Sequence, residues 1–119
     1  MVKLEFANPT GSMKDRIART AIEGAIRNGH LVPGDTVVEY TAGTTGISLA
    51  FVCAALGYPL HIVFSDAFSV EKRRTMRAFG ATVEDVPSDG GRINEKLERY
   101  LVHHQWSGVV SARWFVPAM

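Results

Sequence analysis

The lysine at position 14 is the side chain in this sequence that is best placed for covalent chemistry. Residues 4–6 alternate as in a strand, and residues 8–11 (N-P-T-G) have turn chemistry. From Asp15 onward, apolar residues recur at helical spacing. The sequence therefore predicts that Lys14 lies where an extended segment turns and a helix begins.

Ser12 and Asp15 fit the start of that helix. Ser12 is the predicted N-cap, and Asp15, three residues later, closes a short capping box that places Lys14 in the first helical turn. The partial positive charge of a helix N-terminus disfavours a second cation by about 0.3–1 kcal/mol, so the neutral amine is favoured. A neutral amine is a nucleophile that forms imines with carbonyl compounds. From the local sequence alone, the alternative interpretation is that Lys14 is a solvated lysine without a catalytic role.

A second candidate segment, T-A-G-T-T-G at residues 41–46, follows a predicted strand and precedes a predicted helix. Its threonine hydroxyls and unobstructed glycine amides suit a carboxylate or a phosphate. A helix that starts after the segment would add free backbone N–H groups. The local alternative is a tight turn with polar caps.

Both segments resemble one enzyme family. N-P-T-G-S-M-K-D-R (residues 8–16) resembles the N-P-x-G-S-x-K-D-R segment of the cysteine synthase and cystathionine β-synthase family, in which the lysine carries pyridoxal phosphate. T-A-G-T-T-G is similar to that family's T-S-G-N-T-G loop, which cradles the substrate α-carboxylate while its asparagine bonds the ring hydroxyl of the cofactor. The two motifs occur in the family's order and at a similar separation.

The resemblance implies a role for each matching position. Lys14 is the implied catalytic and cofactor-binding residue, and Thr44 is the second implied cofactor-binding residue. The implied substrate-binding residues are Thr41, Ala42, Gly43, Thr44 and Thr45. Two positions depart from the pattern: Ala42 replaces a serine hydroxyl, and Thr44, in the place of asparagine, reaches one heavy atom less far.

For the cysteine synthase branch, the resemblance implies β-replacement on an O-activated serine. The lysine would remove the α-proton, the β-leaving group would depart, and sulfide would add to make cysteine. Cystathionine β-synthase and serine/threonine dehydratase activities are the related alternatives. The implied partner is a small amino-acid substrate.

The resemblance implies that family members also have a second, larger domain with a glycine-rich phosphate cup, which we do not expect within residues 1–119. We therefore expect residues 1–119 to form a single partial domain, the lobe that carries the Schiff-base lysine, with little or no activity alone. The full-length family implies a homodimer, and a completing chain is a further option here. A non-catalytic fragment or interaction module that keeps the fold is the second hypothesis.

Other site types fit the sequence less well. Adenylate-forming enzymes carry a similar T-S-G-T-T-G loop that continues into a proline-lysine-glycine segment, whereas residues 47–50 here open an apolar helix. The nicotinamide-binding pattern G-x-G-x-x-G does not follow the strand. Four histidines lack partners at metal-ligand spacing: His30, His61, His103 and His104. We expect His61 to lie in a strand and the other three histidines to lie at the surface. A basic stretch is expected to be a solvated helix face: Lys72, Arg73, Arg74 and Arg77.

Composition indicates an ordinary globular domain. The chain has 119 residues, of which 46% are hydrophobic and 21% charged, and a formal charge of +1, so neither a nucleic-acid nor a membrane partner is expected. No apolar run reaches membrane-span length and no secretory signal opens the chain, so we expect a cytoplasmic location. The single cysteine, Cys53, lies in an apolar run and is predicted to be a buried structural thiol.

Strand-like and helix-like segments alternate along the chain. Strands are predicted at residues 36–40, 59–65, 81–86 and 107–112, and helices at residues 15–28, 47–56, 70–79 and 93–104. This alternation predicts a three-layer αβα fold with a mainly parallel sheet of about four strands. Ligands bind at the carboxyl ends of such strands, where residues 41–46 lie.

Overall fold

The computed structural model describes residues 1–41, 44–66 and 69–87, together with the backbone of residues 109–111. The helices are α1 (Lys14–Arg27), α2 (Thr44–Leu56) and α3 (Val70–Ala78), and a short 3-10 helix covers Glu5–Ala7. The strands are β1 (Thr36–Thr41), β2 (Leu60–Ser65), β3 (Thr82–Val86) and β4 (Val109–Ser111). The predicted helix over residues 93–104 lies outside the described residues.

The four strands form one sheet in the order β3-β2-β1-β4, and every neighbouring pair is parallel. A helix connects each of the first two strands to the next, as expected for parallel neighbours that need a crossover connection. The predicted α/β fold with a parallel sheet of about four strands is therefore confirmed.

Alternate residues of the strands face two different cores. Val37 of β1 lies opposite Leu60 of β2, and both belong to the main core with buried residues of all three helices. Tyr40 and Val63, which point the other way, form a second, smaller cluster. Val37 and Tyr40 thus show that β1 buries residues on both faces of the sheet, as parallel strands require.

Helix α1 is amphipathic and ends where the sequence predicts. Ala18, Ile22 and Ala25 are buried at helical spacing. Asn28 is the C-cap, and Gly29 adopts a φ of 74°, a left-handed conformation that glycine reaches without steric cost.

The segment before α1 is not a strand. Residues 4–6 contribute to a 3-10 helix, in which the Ala7 N–H donates to Leu4 O and the Asn8 N–H donates to Glu5 O, both at 3.1 Å. Arg16 Nε also lies 3.0 Å from Glu5 Oε2, a contact from the following helix that alternation within three residues does not reveal. The prediction of an extended segment was wrong because these contacts favour the 3-10 helix over the extended conformation.

The basic stretch on α3 is only partly a solvated face. The Arg73 side chain is 18% exposed, with Nε 2.8 Å from Asp85 Oδ1 and the guanidinium carbon 5.8 Å from the centroid of the Phe64 ring. Arg77 Nη2 donates to Val83 O at 3.3 Å. Arg73 thus binds α3 to β3 and to the core, which corrects the prediction for this residue, whereas Arg77 contacts β3 and keeps an exposed side chain as predicted.

Two single residues behave as predicted. His61 lies in β2, with Nε2 2.9 Å from Glu84 Oε2 on the neighbouring strand, and His30 is exposed. His103 and His104 lie outside the described residues.

In the part of the chain that the structure describes, none of the helices has the length and apolar character needed to cross a bilayer.

Candidate active site

The turn that carries Lys14 is held by side chains on both sides. Asn8 Nδ2 donates to Ser12 O at 3.0 Å and to Glu5 Oε2 at 2.6 Å, and Gly11 has a φ of 77° that favours glycine. Ser12 Oγ accepts from the Lys14 N–H at 3.1 Å. Lys14 is the first residue of α1 and is half-buried. The prediction that this lysine lies in the first helical turn is therefore confirmed.

The predicted capping box is wrong in both halves, since Ser12 is not the N-cap and Asp15 does not close the box. The N-cap position is Met13, without a side-chain hydrogen bond, and Asp15 does not turn back towards Ser12. Its carboxylate instead accepts from the Thr10 N–H at 2.8 Å, from the Thr10 hydroxyl, and from Ser48 Oγ at 2.6 Å. Asp15 therefore joins the Lys14 turn to helix α2.

Asp15 is 7% exposed, yet its environment favours the ionised form. Burial alone would raise the pKa of this carboxyl group, but hydrogen bonds from Ser48 and Thr10 outweigh that effect and the pKa lies below its ordinary value. A carboxylate that is buried and fully hydrogen-bonded stabilises the arrangement of the groups that donate to it.

We expect Asp15→Asn to destabilise the protein at neutral pH by about 1.5–3 kcal/mol, the typical contribution of hydrogen bonds to a charged group. Because the folded pKa is depressed, the contribution of Asp15 is present above the unfolded value of 3.8 and is lost as pH falls through the folded value. Urea unfolding at pH 7 and at roughly pH 3 should therefore show a stability difference that shrinks in acid.

Glu23→Gln provides the control for this prediction. Glu23 pairs with Arg19 at 3.1 Å on the exposed side of α1, and this substitution should change the free energy of unfolding by less than about 0.5 kcal/mol at either pH. A difference between Asp15→Asn and the unsubstituted chain that stays constant with pH would contradict the role assigned to the ionised carboxylate.

Helix α2 begins inside the glycine-marked segment, at Thr44 and not at Ile47. Thr41 Oγ1, at the end of β1, accepts from the Gly46 N–H at 3.1 Å and so caps the first turn. An added Cβ at Gly46 would collide with Thr41 Cγ2 and lie 2.7 Å from Met76 Sδ. This close approach of strand and helices explains the glycine at position 46.

The predicted substrate-binding residues are thus distributed over two elements. Thr41 is buried at 6% exposure at the end of β1, whereas Thr44 is exposed and Thr45 is half-buried in the first turn of α2. Ala42 and Gly43 lie outside the described residues. The hydroxyls of Thr44 and Thr45 lie where the unpaired N–H groups of a helix start attract anions.

Ser48 lies one helical turn after Thr44, about 6 Å further along the helix axis. Because Ser48 bonds the carboxylate of the residue that follows Lys14, the start of α1 lies beside the first two turns of α2. The structure therefore brings the backbone of Lys14 and the amino end of α2 together.

Two contributors to this arrangement, Thr10 and Ser48, were not predicted. The apolar pattern of α1 could have indicated that Asp15, the partner of Ser48, is buried. Asp15 follows the same helical spacing as Ala18, Ile22 and Ala25, so it faces the core side of α1. Ser48 likewise lies within the apolar run of α2 and is 0% exposed. A carboxylate and a hydroxyl on two buried helix faces are expected to find each other, since unpaired polar groups are costly there.

Within the ranges that the structure describes, no group of three or more histidine, cysteine, aspartate or glutamate side chains is arranged to hold a metal ion. The fold and the site together define a parallel α/β unit with a lysine at one helix start and a threonine- and glycine-containing segment at another. The model of the family described as pyridoxal-phosphate dependent enzyme matches residues 1–112, so the chain belongs to this family. The predicted resemblance is thereby confirmed, as is pyridoxal phosphate as the cofactor of the family.

Individual relatives agree with this assignment. Cysteine synthase of Staphylococcus aureus is 52% identical over 86 residues, which cover 72% of this chain and 28% of the relative. O-ureido-L-serine synthase of Streptomyces lavendulae is 45% identical over 105 residues, covering 83% of this chain and 32% of the relative. The crystal structure of O-acetyl serine sulfhydrylase isoform 3 from Entamoeba histolytica has a TM-score of 0.79 at 40% identity, covering 97% of this chain and 35% of that one. The chain thus spans about a third of the length of these proteins.

Proposed function

We propose that this chain is the lysine-bearing lobe of a pyridoxal phosphate-dependent enzyme that performs β-replacement on an O-activated serine to make cysteine. The observation that carries the proposal is the hydrogen bond between Asp15 and Ser48, which joins the Lys14 turn to the amino end of α2. An amine and an anion-binding helix start on adjacent elements are the two parts that such a reaction requires.

The described residues fit the cofactor. Lys14 supplies an amine at a half-buried position for an imine bond to the aldehyde, and the exposed hydroxyl of Thr44 is a donor for the ring oxygen. When bound, pyridoxal phosphate supplies an electron sink for negative charge that develops at the substrate α-carbon.

The chain's own residues would then bind the substrate and move its proton. We assign the substrate carboxylate to Thr41, Ala42, Gly43, Thr44 and Thr45, with the backbone N–H groups at the start of α2. The amine of Lys14 would also be the base that removes the substrate α-proton. Lys14 thus both holds the cofactor and carries out the proton transfer.

The names of the relatives support the reaction class. Cysteine and O-ureido-L-serine share the alanine skeleton and differ in the group at the β-carbon. We propose sulfide as the nucleophile here. Because the chain spans about a third of the length of these relatives, we propose that the 119-residue chain alone has little or no β-replacement activity. As the resemblance to the full-length family implies, we propose a homodimer as the assembly, with a completing chain as the further option.

The test is reductive trapping of the cofactor. After incubation with millimolar pyridoxal phosphate and reduction with borohydride, peptide mass mapping of the unsubstituted chain should place the added mass on Lys14. Lys14→Ala should abolish this adduct, whereas Lys3→Ala, which removes an exposed lysine of the N-terminal segment, should leave it unchanged. Labelling that follows exposure and favours Lys3, or no labelling, would overturn the proposal and favour a non-catalytic module.

A further inference from the structure

We propose that Ser48 is a positioning residue for Lys14, an inference that rests on the proposed function. Its hydroxyl, acting through the carboxylate of Asp15, sets the start of α1 against the amino end of α2. Neither family motif that identifies the site includes position 48.

The geometry of this link is specific. Ser48 is fully buried, and its Oγ donates to Asp15 Oδ1 at 2.6 Å and lies 3.4 Å from Thr10 Oγ1. The Asp15 carboxylate also receives the Thr10 N–H, so one carboxylate connects the turn before Lys14, the first turn of α1 and the second turn of α2. Since Asp15 follows Lys14 directly, a shift of this carboxylate moves the backbone that carries the lysine.

The remaining packing between the two helices does not supply the same precision. The residues that α1 and α2 contribute to the main core are otherwise small or aliphatic: Ala18, Ile22 and Ala25 on α1, with Leu49, Ala50, Val52 and Cys53 on α2. Apolar burial is non-directional, so such a surface fixes the axial position of one helix against the other less sharply than a directional contact does. A charge-assisted hydrogen bond is short and directional, and it does fix that position.

The experiment compares two serine-to-alanine variants in the 119-residue chain. Ser48→Ala removes the link to Asp15, whereas Ser69→Ala removes the N-cap of α3, where Ser69 Oγ accepts from the Lys72 N–H at 3.3 Å. For each variant, the pyridoxal phosphate concentration that gives half-maximal reductive trapping on Lys14 is measured at a temperature where circular dichroism shows the chain folded.

We expect Ser48→Ala to raise the half-maximal concentration about tenfold, as the loss of one hydrogen bond to a charged group allows. Ser69→Ala should leave it unchanged even though it lowers the melting temperature. In the absence of cofactor, Ser48→Ala should also accelerate exchange of the Thr10 amide hydrogen, which is bonded to Asp15 Oδ2.

A second variant keeps the test decisive if Ser48→Ala does not fold. Thr10→Val preserves the side-chain shape at a half-buried position and removes the other hydroxyl that donates to Asp15, so trapping should weaken in the same direction. Equal trapping in the unsubstituted chain and in the Ser48 and Thr10 variants would overturn this inference alone. No trapping in the unsubstituted chain would overturn the proposed function and this inference with it.

Discussion

Replacing Gly46 with alanine should destabilise the protein by about 1–3 kcal/mol, the usual range for overpacking a tight interior. An alanine Cβ would collide with Thr41 Cγ2 and lie 2.7 Å from Met76 Sδ. The Met76 thioether can yield because it ends a flexible side chain, but Thr41 is β-branched and lies in a central strand. The strain therefore falls on Thr41, whose Oγ1 caps α2 through the Gly46 N–H.

Gly46→Ala should lower the yield of cofactor trapping on Lys14 as well as the stability of the protein. If Thr41 moves, the first turn of α2 loses its cap, and the anion-binding segment of the proposed site loses its position. Urea unfolding measures the first effect, and the yield of cofactor trapping on Lys14 measures the second.

Gly24→Ala is the matched control for Gly46→Ala. Gly24 lies within α1, has no atom within 4 Å of an added Cβ, and has no positive φ. Alanine there should stabilise the protein by about 0.5–1 kcal/mol because it lowers the entropy cost of forming the helix. A Gly46→Ala variant as stable as Gly24→Ala would show that the contact between strand and helices is looser than the structure indicates.

The second large effect is expected at Phe64. This residue is fully buried in β2, and Phe64→Ala should cost about 3–5 kcal/mol through lost burial and the cavity that remains. The ring also lies under the guanidinium of Arg73, with 5.8 Å from its carbon to the ring centroid. Since small domains have a stability of only about 5–15 kcal/mol, this variant should be close to unfolding at room temperature.

Phe6→Ala is the corresponding control. Phe6 is 74% exposed, so the same substitution should change the free energy of unfolding by no more than about 0.5 kcal/mol. Thermal and urea unfolding of both variants check this pair. A cost below about 1 kcal/mol for Phe64→Ala would contradict the placement of its ring in the core.

Local patterns predicted most of the fold because its elements satisfy local rules. Helix α1 shows both a buried apolar face and a glycine that ends it, and Ser69 caps α3 with the bond to the Lys72 N–H. The parallel order of β1 and β2 follows from the helix between them. These features require only residues a few positions apart.

Two of the errors have a common physical cause, which is bonding across longer sequence separations. Residues 4–6 look extended by alternation, but Glu5 is bound by Arg16 eleven positions later. Asp15 has the right spacing for a capping box, but Ser48, which is 33 positions away, supplies a buried donor. The third error, the start of α2 at Thr44, involves a nearer partner, because Thr41 at the end of the preceding strand caps the helix through the Gly46 N–H. Local sequence cannot show these partners until the fold has brought them together.

The buried thiol of Cys53 has a practical consequence for spectroscopy. Burial raises the pKa of this group to about 12, so at pH 8 only about one thiol in ten thousand is a thiolate, the form that reacts with maleimides. A cysteine introduced at an exposed position, such as Thr44→Cys, could therefore be labelled selectively in the otherwise natural sequence. Fluorescent or spin probes could then report on the entrance of the proposed site while the native cysteine stays in place.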